Sequence, residues 1–411
     1  MRARRALTVG LLLALLLAGC SQPAADGVSR PTGRIERPSQ LGTVPYDGPM
    51  TAQELLEHCG AGYGGIPCHV ETLQAYLHTY GSVPAFSLLS NLTMLDSAVN
   101  TQAHAISHEL GKYALAVYGT IERTLDECSY EVFQGCLHGA LQGYFDSLEE
   151  VRPEDYRDVC PTDTSFRIYA CQHGMGHGLV LYAQYDLPRG LAMCDALATQ
   201  YARSSCWGGA FMENLVAWQD SRRAVAGIGH VHGDMSNVTF MIDPDDLHYP
   251  CNAVAAKYQE TCWLLQTSLI LDLRQGDFAQ AAEACRTAPA AHVATCFRSL
   301  GRDASAWANS HCSARATQCY VDDVVRRCSH ADGGHRAGCI RGAAAEVVLN
   351  FADPEYGRRT CAMMPEEDKA PCYEEAAAQG ATMRDRAQME ALCAAVEEQH
   401  RDACRRGARL D

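Results

Sequence analysis

The chain has 411 residues, a formal net charge of −15 and 21 cysteines. An acidic balance of that size argues against nucleic acid as a partner and against anionic lipid surfaces. So many cysteines belong to a disulfide-dense chain from an oxidising compartment rather than to a cytoplasmic protein.

In chain order, Arg2, Arg4 and Arg5 precede a largely apolar run from Leu7 to Leu17, followed by Ala18, Gly19 and Cys20. Residues 1–19 read as a signal peptide, too short for a membrane span. Leu17-Ala18-Gly19-Cys20 resembles the lipobox of bacterial lipoproteins. That resemblance implies that Cys20 carries lipid, palmitate included, and becomes the mature N-terminus. It also implies a protein outside the cytoplasm, held on a bacterial membrane. No second stretch approaches ~20 apolar residues, so the anchor is expected to be lipid alone. Loss of the three leader arginines takes the net charge to −18. Residues 20–50 are rich in Pro, Gly, Ser and Gln and read as a flexible tether. Residues 51–411 form the folded part.

Setting Cys20 aside leaves an even number of cysteines with a regular spacing. Cys160–Cys171, Cys251–Cys262, Cys285–Cys296, Cys328–Cys339, Cys361–Cys372 and Cys393–Cys404 are each eleven apart. Cys194–Cys206 are twelve apart, Cys59–Cys68 nine and Cys128–Cys136 eight. Cys312 and Cys319 remain to pair with each other, which gives ten local bridges. The second members keep a beat: Cys136, Cys171 and Cys206 are 35 apart, and Cys339, Cys372 and Cys404 are 33 and 32 apart. The 68 residues from Cys68 to Cys136 make room for one repeat without cysteines. Ten units result. A period near 34 is the size of one helical hairpin, and "FAQAAEACRTA", "PAAH", "VATCFRSLGRDASAWA" reads as helix A, turn, helix B. Each bridge then staples the turn of its own hairpin. The fold class is all-α, an α-solenoid of about ten stapled hairpins. It resembles the tetratricopeptide-like solenoids, more closely their bacterial cysteine-rich, disulfide-bridged branch, over residues 51 to 408.

The beat supplies an internal alignment. With each helix-B cysteine at position zero, even spacing puts Gln102 in the cysteine's place in the cysteine-free repeat. Position two then reads His104, His138, His173 and Gly208, and position six reads His108, Gln142, His177 and Met212. Two positions four apart share one helical face. At ~100° per residue that face points away from the cysteine and from helix A. Stacked B helices lie ~10 Å apart, close enough for imidazoles on neighbours to converge on one ion. A single His-x₃-His is more often structural, but a row of five in register points to a transition-metal site. One arrangement groups His104, His108 and His138, with a second from His173 and His177 that Gln142, Met212 or His138 completes. Gly139, Gly174 and Gly209 share position three, where they either allow close helix approach or leave room for a ligand.

Glu109 and Glu213 share position seven and suit a general base or an outer partner of the ligands. His230, His232 and Asp234 lie in a Gly-rich insertion, as a lid with further ligands or as an exposed polar loop. With the cysteines committed to bridges, imidazole donors suit copper, iron or zinc and disfavour calcium and magnesium. Three functions fit: a lipid-anchored metalloenzyme, oxidative or hydrolytic; a metal-handling carrier; or a scaffold for an envelope protein or peptide with structural histidines. The metal-site half spans about 51–250 and the second half about 251–411.

Overall fold

A computed structural model describes residues 48–132, 134–225, 237–312 and 317–410. Among them the chain is helical without a strand. The hairpins run α1 (Ala52–Cys59) with α2 (Ile66–Tyr80), α3 (Ser82–Leu92) with α4 (Ser97–Tyr118), and α5 (Ile121–Glu127) with α6 (Gly135–Asp146). Next come α7 (Pro153–Tyr156) with α8 (Ser165–Tyr182) and α9 (Leu187–Cys194) with α10 (Gln200–Val225). In the sixth unit a turn segment stands in for helix A, and helix B is broken into α11 (Ala256–Trp263) and α12 (Gln266–Leu273). The last four units pair α13 (Phe278–Arg286) with α14 (Val293–His311), α15 (Gln318–Cys328) with α16 (Arg336–Phe351), α17 (Pro354–Ala362) with α18 (Glu366–Gly380), and α19 (Arg386–Ala394) with α20 (Arg401–Gly407).

All ten expected disulfides are formed. Nine tie the two segments of one unit, and Cys312–Cys319 joins the end of α14 to the start of α15. Most A helices start on short side chains that cap their free N–H groups; α3 and α7 do not. Asp186, Asp277, Asp353 and Asp385 accept from the first turns of α9, α13, α17 and α19. Such caps contribute about 1 kcal/mol each. They matter in hairpins whose A helices are short and whose cores are rich in alanine.

The B helices α4, α6, α8 and α10 pack side by side, and so do α14, α16, α18 and α20. Glycine at position three sets their approach. A methyl added to Gly209 would lie 1.8 Å from the His173 carbonyl oxygen, and one on Gly342 would lie 1.9 Å from that of Arg298. In both cases the carbonyl belongs to position two of the preceding B helix. Gly139 makes the same contact with the carbonyl of His108, at 1.9 Å.

That contact corrects the alignment of the cysteine-free unit. His108, not His104, stands at position two, and Ile106, not Gln102, occupies the cysteine's place. Ile106 is 2% exposed, an apolar side chain where the other units hold a half-cystine. Even spacing failed here because α4 has 22 residues and no bridge fixes where its packing register starts. The shift is one helical turn, so His104 stays on the same face, one turn before His108.

The array curves back on itself. The Gln134 side-chain amide donates to the Leu349 carbonyl at 2.8 Å, and the Phe166 N–H donates to the Thr382 carbonyl at 3.1 Å. Helix α4 touches α14. The B helices of the two halves therefore face one another across a central cavity of about 500 Å³, with the A helices outside.

Candidate metal centre

Five histidines gather on the inner faces of α4, α6 and α8. His177 is fully buried, and His108, His138 and His173 are nearly so, while His104 is partly open. Their rings form a continuous cluster. Centroids of His104 and His108 lie 4.3 Å apart, those of His108 and His138 5.4 Å, and those of His138 and His177 4.8 Å. Two triplets can each present nitrogens to one ion: His104, His108 and His138, and His138, His173 and His177. Within each, the ligand atoms lie within 4.8 Å of one another. His138 belongs to both.

The second triplet has the more specific geometry. Nε2 of His173 and Nε2 of His177 are 3.3 Å apart. Two nitrogens bound at about 2.0–2.1 Å to one tetrahedral ion stand about 3.3–3.4 Å apart, so the spacing suits a shared ion. The other nitrogen of His177 faces the Glu213 carboxylate, Nδ1 to Oε2 at 2.7 Å, with both side chains sealed from solvent. Nδ1–H donating to that carboxylate leaves Nε2 as a lone-pair donor aimed at His173. This is the outer carboxylate that fixes tautomer and ring angle in metal-bound histidines. The Gln142 amide donates to the same Glu213 oxygen at 3.4 Å. His138 completes the group from α6. It is 2% exposed, and neither ring nitrogen meets a hydrogen-bond partner among the described residues. A buried polar atom left unpaired costs about 1–3 kcal/mol, and a bound ion would remove that cost.

Burial holds the basicity of His138 and His173 well below the ordinary imidazole range, and the neighbouring histidines lower it further. Both are therefore neutral, the form that binds metal. Gly174 makes room for the cluster, since a methyl there would come within 2.8 Å of the His138 ring. The position-three glycines thus do both jobs: Gly139 and Gly209 admit the neighbouring backbone, and Gly174 admits a ring.

The other expected residues divide. Met212 lines the central cavity beside Gly208 and His173. Gln142 lies behind the centre, on Glu213. The two glutamates are not equivalent. Glu213 is buried against His177, whereas the Glu109 carboxylate pairs with the Lys112 ammonium at 2.9 Å with its side chain 40% exposed. The register correction explains this, because Glu109 falls at position three of its helix, not seven. His230, His232 and Asp234 lie outside the described residues, as does Cys20. His58 sits near Cys59 and Cys68, but those sulfurs are joined to each other and offer no thiolate.

His104, His138 and His173 open onto the cavity, whose facing wall comes from the second half of the chain. Tyr169 lies one turn before His173 on α8, their rings 5.6 Å apart. Arg298 and Arg302 from α14 and Glu346 from α16 line the cavity as well. The repeat alignment contained the signal: Arg298 and Arg302 hold positions two and six of the seventh unit, the same rungs as His173 and His177. Arg298 pairs with Glu375, while Arg302 is held by Asp303 at 2.8 Å and by the Ser268 hydroxyl. Comparison with protein-family models, with curated proteins and with solved structures finds no match for this chain.

Proposed function

We propose that the chain is an extracytoplasmic transition-metal protein, held at a bacterial membrane through Cys20. In this reading His138, His173 and His177 bind copper, iron or zinc, and His104 and His108 extend the centre or hold a second ion. The ten disulfides fit an oxidising compartment, and no helix among the described residues is long and apolar enough to cross a membrane. The observation that carries the reading is His138, buried with both nitrogens unpartnered beside a His173–His177 pair at ligand spacing. A purely structural cluster would be expected to satisfy those nitrogens internally.

Access favours a reactive centre over a sealed carrier. His104, His138 and His173 border a cavity of about 500 Å³, a size typical of small-molecule sites. An ion there supplies Lewis acidity or redox chemistry, oxidative or hydrolytic. Glu213 acts as the positioning group for His177. The test is titration of chelator-treated protein with Cu²⁺, Fe²⁺ and Zn²⁺ separately. At least one is expected to bind stoichiometrically in wild type and to be lost in His138→Ala. No stoichiometric binding, or binding indifferent to His138, would end the reading.

A further inference from the structure

We propose that the central cavity binds a small organic cation, a primary ammonium on an apolar or aromatic body, with Glu346 as its counter-ion. The site lies across the cavity from the histidines and stands on the cavity's own charges, whatever the histidines hold.

The charges of the wall do not cancel. Arg298 has Glu375, and Arg302 has Asp303. Glu346 is the acidic residue among the cavity-lining side chains described, and no ion pair reaches it among the described residues. Its Oε1 accepts one hydrogen bond from the Asn350 amide at 3.0 Å. Glu346 is half-buried, facing the cavity, and carboxylates withdrawn from bulk water are ordinarily paired with a cation or a metal. Burial pushes Glu346 above the usual carboxylate range despite the attraction of Arg302, and Asp303 adds to the rise. A ligand ammonium would provide the missing partner.

The remaining walls suit the same ligand. Phe166, Tyr169 and Tyr201 line the cavity, and aromatic faces attract cations. Tyr169 shares the cavity with Glu346 and feels its charge and that of Arg302. An anion would find each guanidinium already paired with a carboxylate, with only the buried Nε of Arg302 still without a hydrogen-bond partner, and an unpaired carboxylate opposing it. The acidic chain as a whole also attracts cations.

The test is calorimetric titration of the full mature chain, both metal-loaded and chelator-treated. The probes are benzylammonium, its uncharged counterpart benzyl alcohol, and benzoate. Benzylammonium is expected to saturate one site about ten-fold more tightly than benzyl alcohol, the worth of one charge-assisted hydrogen bond, with benzoate weakest. Both protein forms should keep that order, and Glu346→Gln, checked for folding by circular dichroism, should erase the amine preference. Equal binding of amine and alcohol, or tightest binding of benzoate, overturns the proposal on wild type alone. So does an amine preference confined to the metal-loaded form, which would make the amine a metal ligand. Retention of the order in metal-free protein supports the cation site even where the histidines take up no ion.

Discussion

Glu213, from α10, holds His177, from α8, through a hydrogen bond of 2.7 Å in which neither side chain reaches solvent. The bond spans two hairpins, so the packing of one B helix against the next sets the tautomer of an imidazole in the cluster. Glu213→Gln keeps the shape but removes the carboxylate. The expected result is a roughly 10–100-fold loss of metal affinity in chelator competition, with the helical spectrum unchanged. Unaltered affinity would detach Glu213 from the centre.

His138 and His104 are predicted to differ. His138 is shared by both triplets, and His104 sits at the open edge of one. His138→Ala should abolish stoichiometric binding, whereas His104→Ala should retain an ion on His138, His173 and His177. Elemental analysis of the two variants, loaded in parallel, checks this. Equal losses would argue for a single site built from all five rings.

Two glycines separate stability from binding. Gly209→Ala drives a methyl into the His173 carbonyl, which backbone must move to relieve; a cost of roughly 1–3 kcal/mol or more is expected, read as a lower denaturant midpoint. Gly174→Ala meets the edge of the His138 ring instead. Its main effect should be weaker metal binding, with a smaller stability loss. The reverse ranking would show that the glycines do not play these separate parts.

Glu346→Gln should stabilise the chain at neutral pH. The carboxyl is held above its unfolded value by burial. A raised carboxyl favours the folded state only while it is protonated, below the unfolded value of about 4.3. That contribution disappears as pH rises through the folded value. Relative to wild type, the variant should melt higher at pH 7.5 and lose its advantage as pH falls toward 4. A difference independent of pH would mean that Glu346 is not strained by its charge.

Reduction should unfold hairpins rather than merely loosen them. Each short loop closed by a bridge contributes about 2–3 kcal/mol through the unfolded chain. Thermal melts with dithiothreitol under mild denaturant should drop steeply, and metal should leave with the helices. Reduced protein that melts and binds metal as before would contradict this role for the staples.

The stapled hairpins were legible in the sequence because cysteine spacing reports loop length directly. The five-histidine row was legible because repeats align against one another. The register was misplaced where no cysteine marked it: α4 slid by one turn, so His108 rather than His104 holds the common rung, and Glu109 stands one turn short of the rung that Glu213 holds in α10. Closure of the array was not legible. It depends on contacts such as Gln134 with Leu349, 215 residues apart, which no local period encodes. The facing wall was not legible for the same reason. Arg298 and Arg302 hold the histidine rungs in the seventh unit, but only closure brings them opposite the cluster.

The most direct test of the metal centre is elemental analysis of the protein purified from its native source without chelator, followed by X-ray absorption at the edge of any metal found. At least one copper, iron or zinc per chain with imidazole nitrogen at about 2.0–2.1 Å is predicted, and His138→Ala should lose it. A chain with no stoichiometric transition metal, whose histidine variants behave as wild type, would contradict the account.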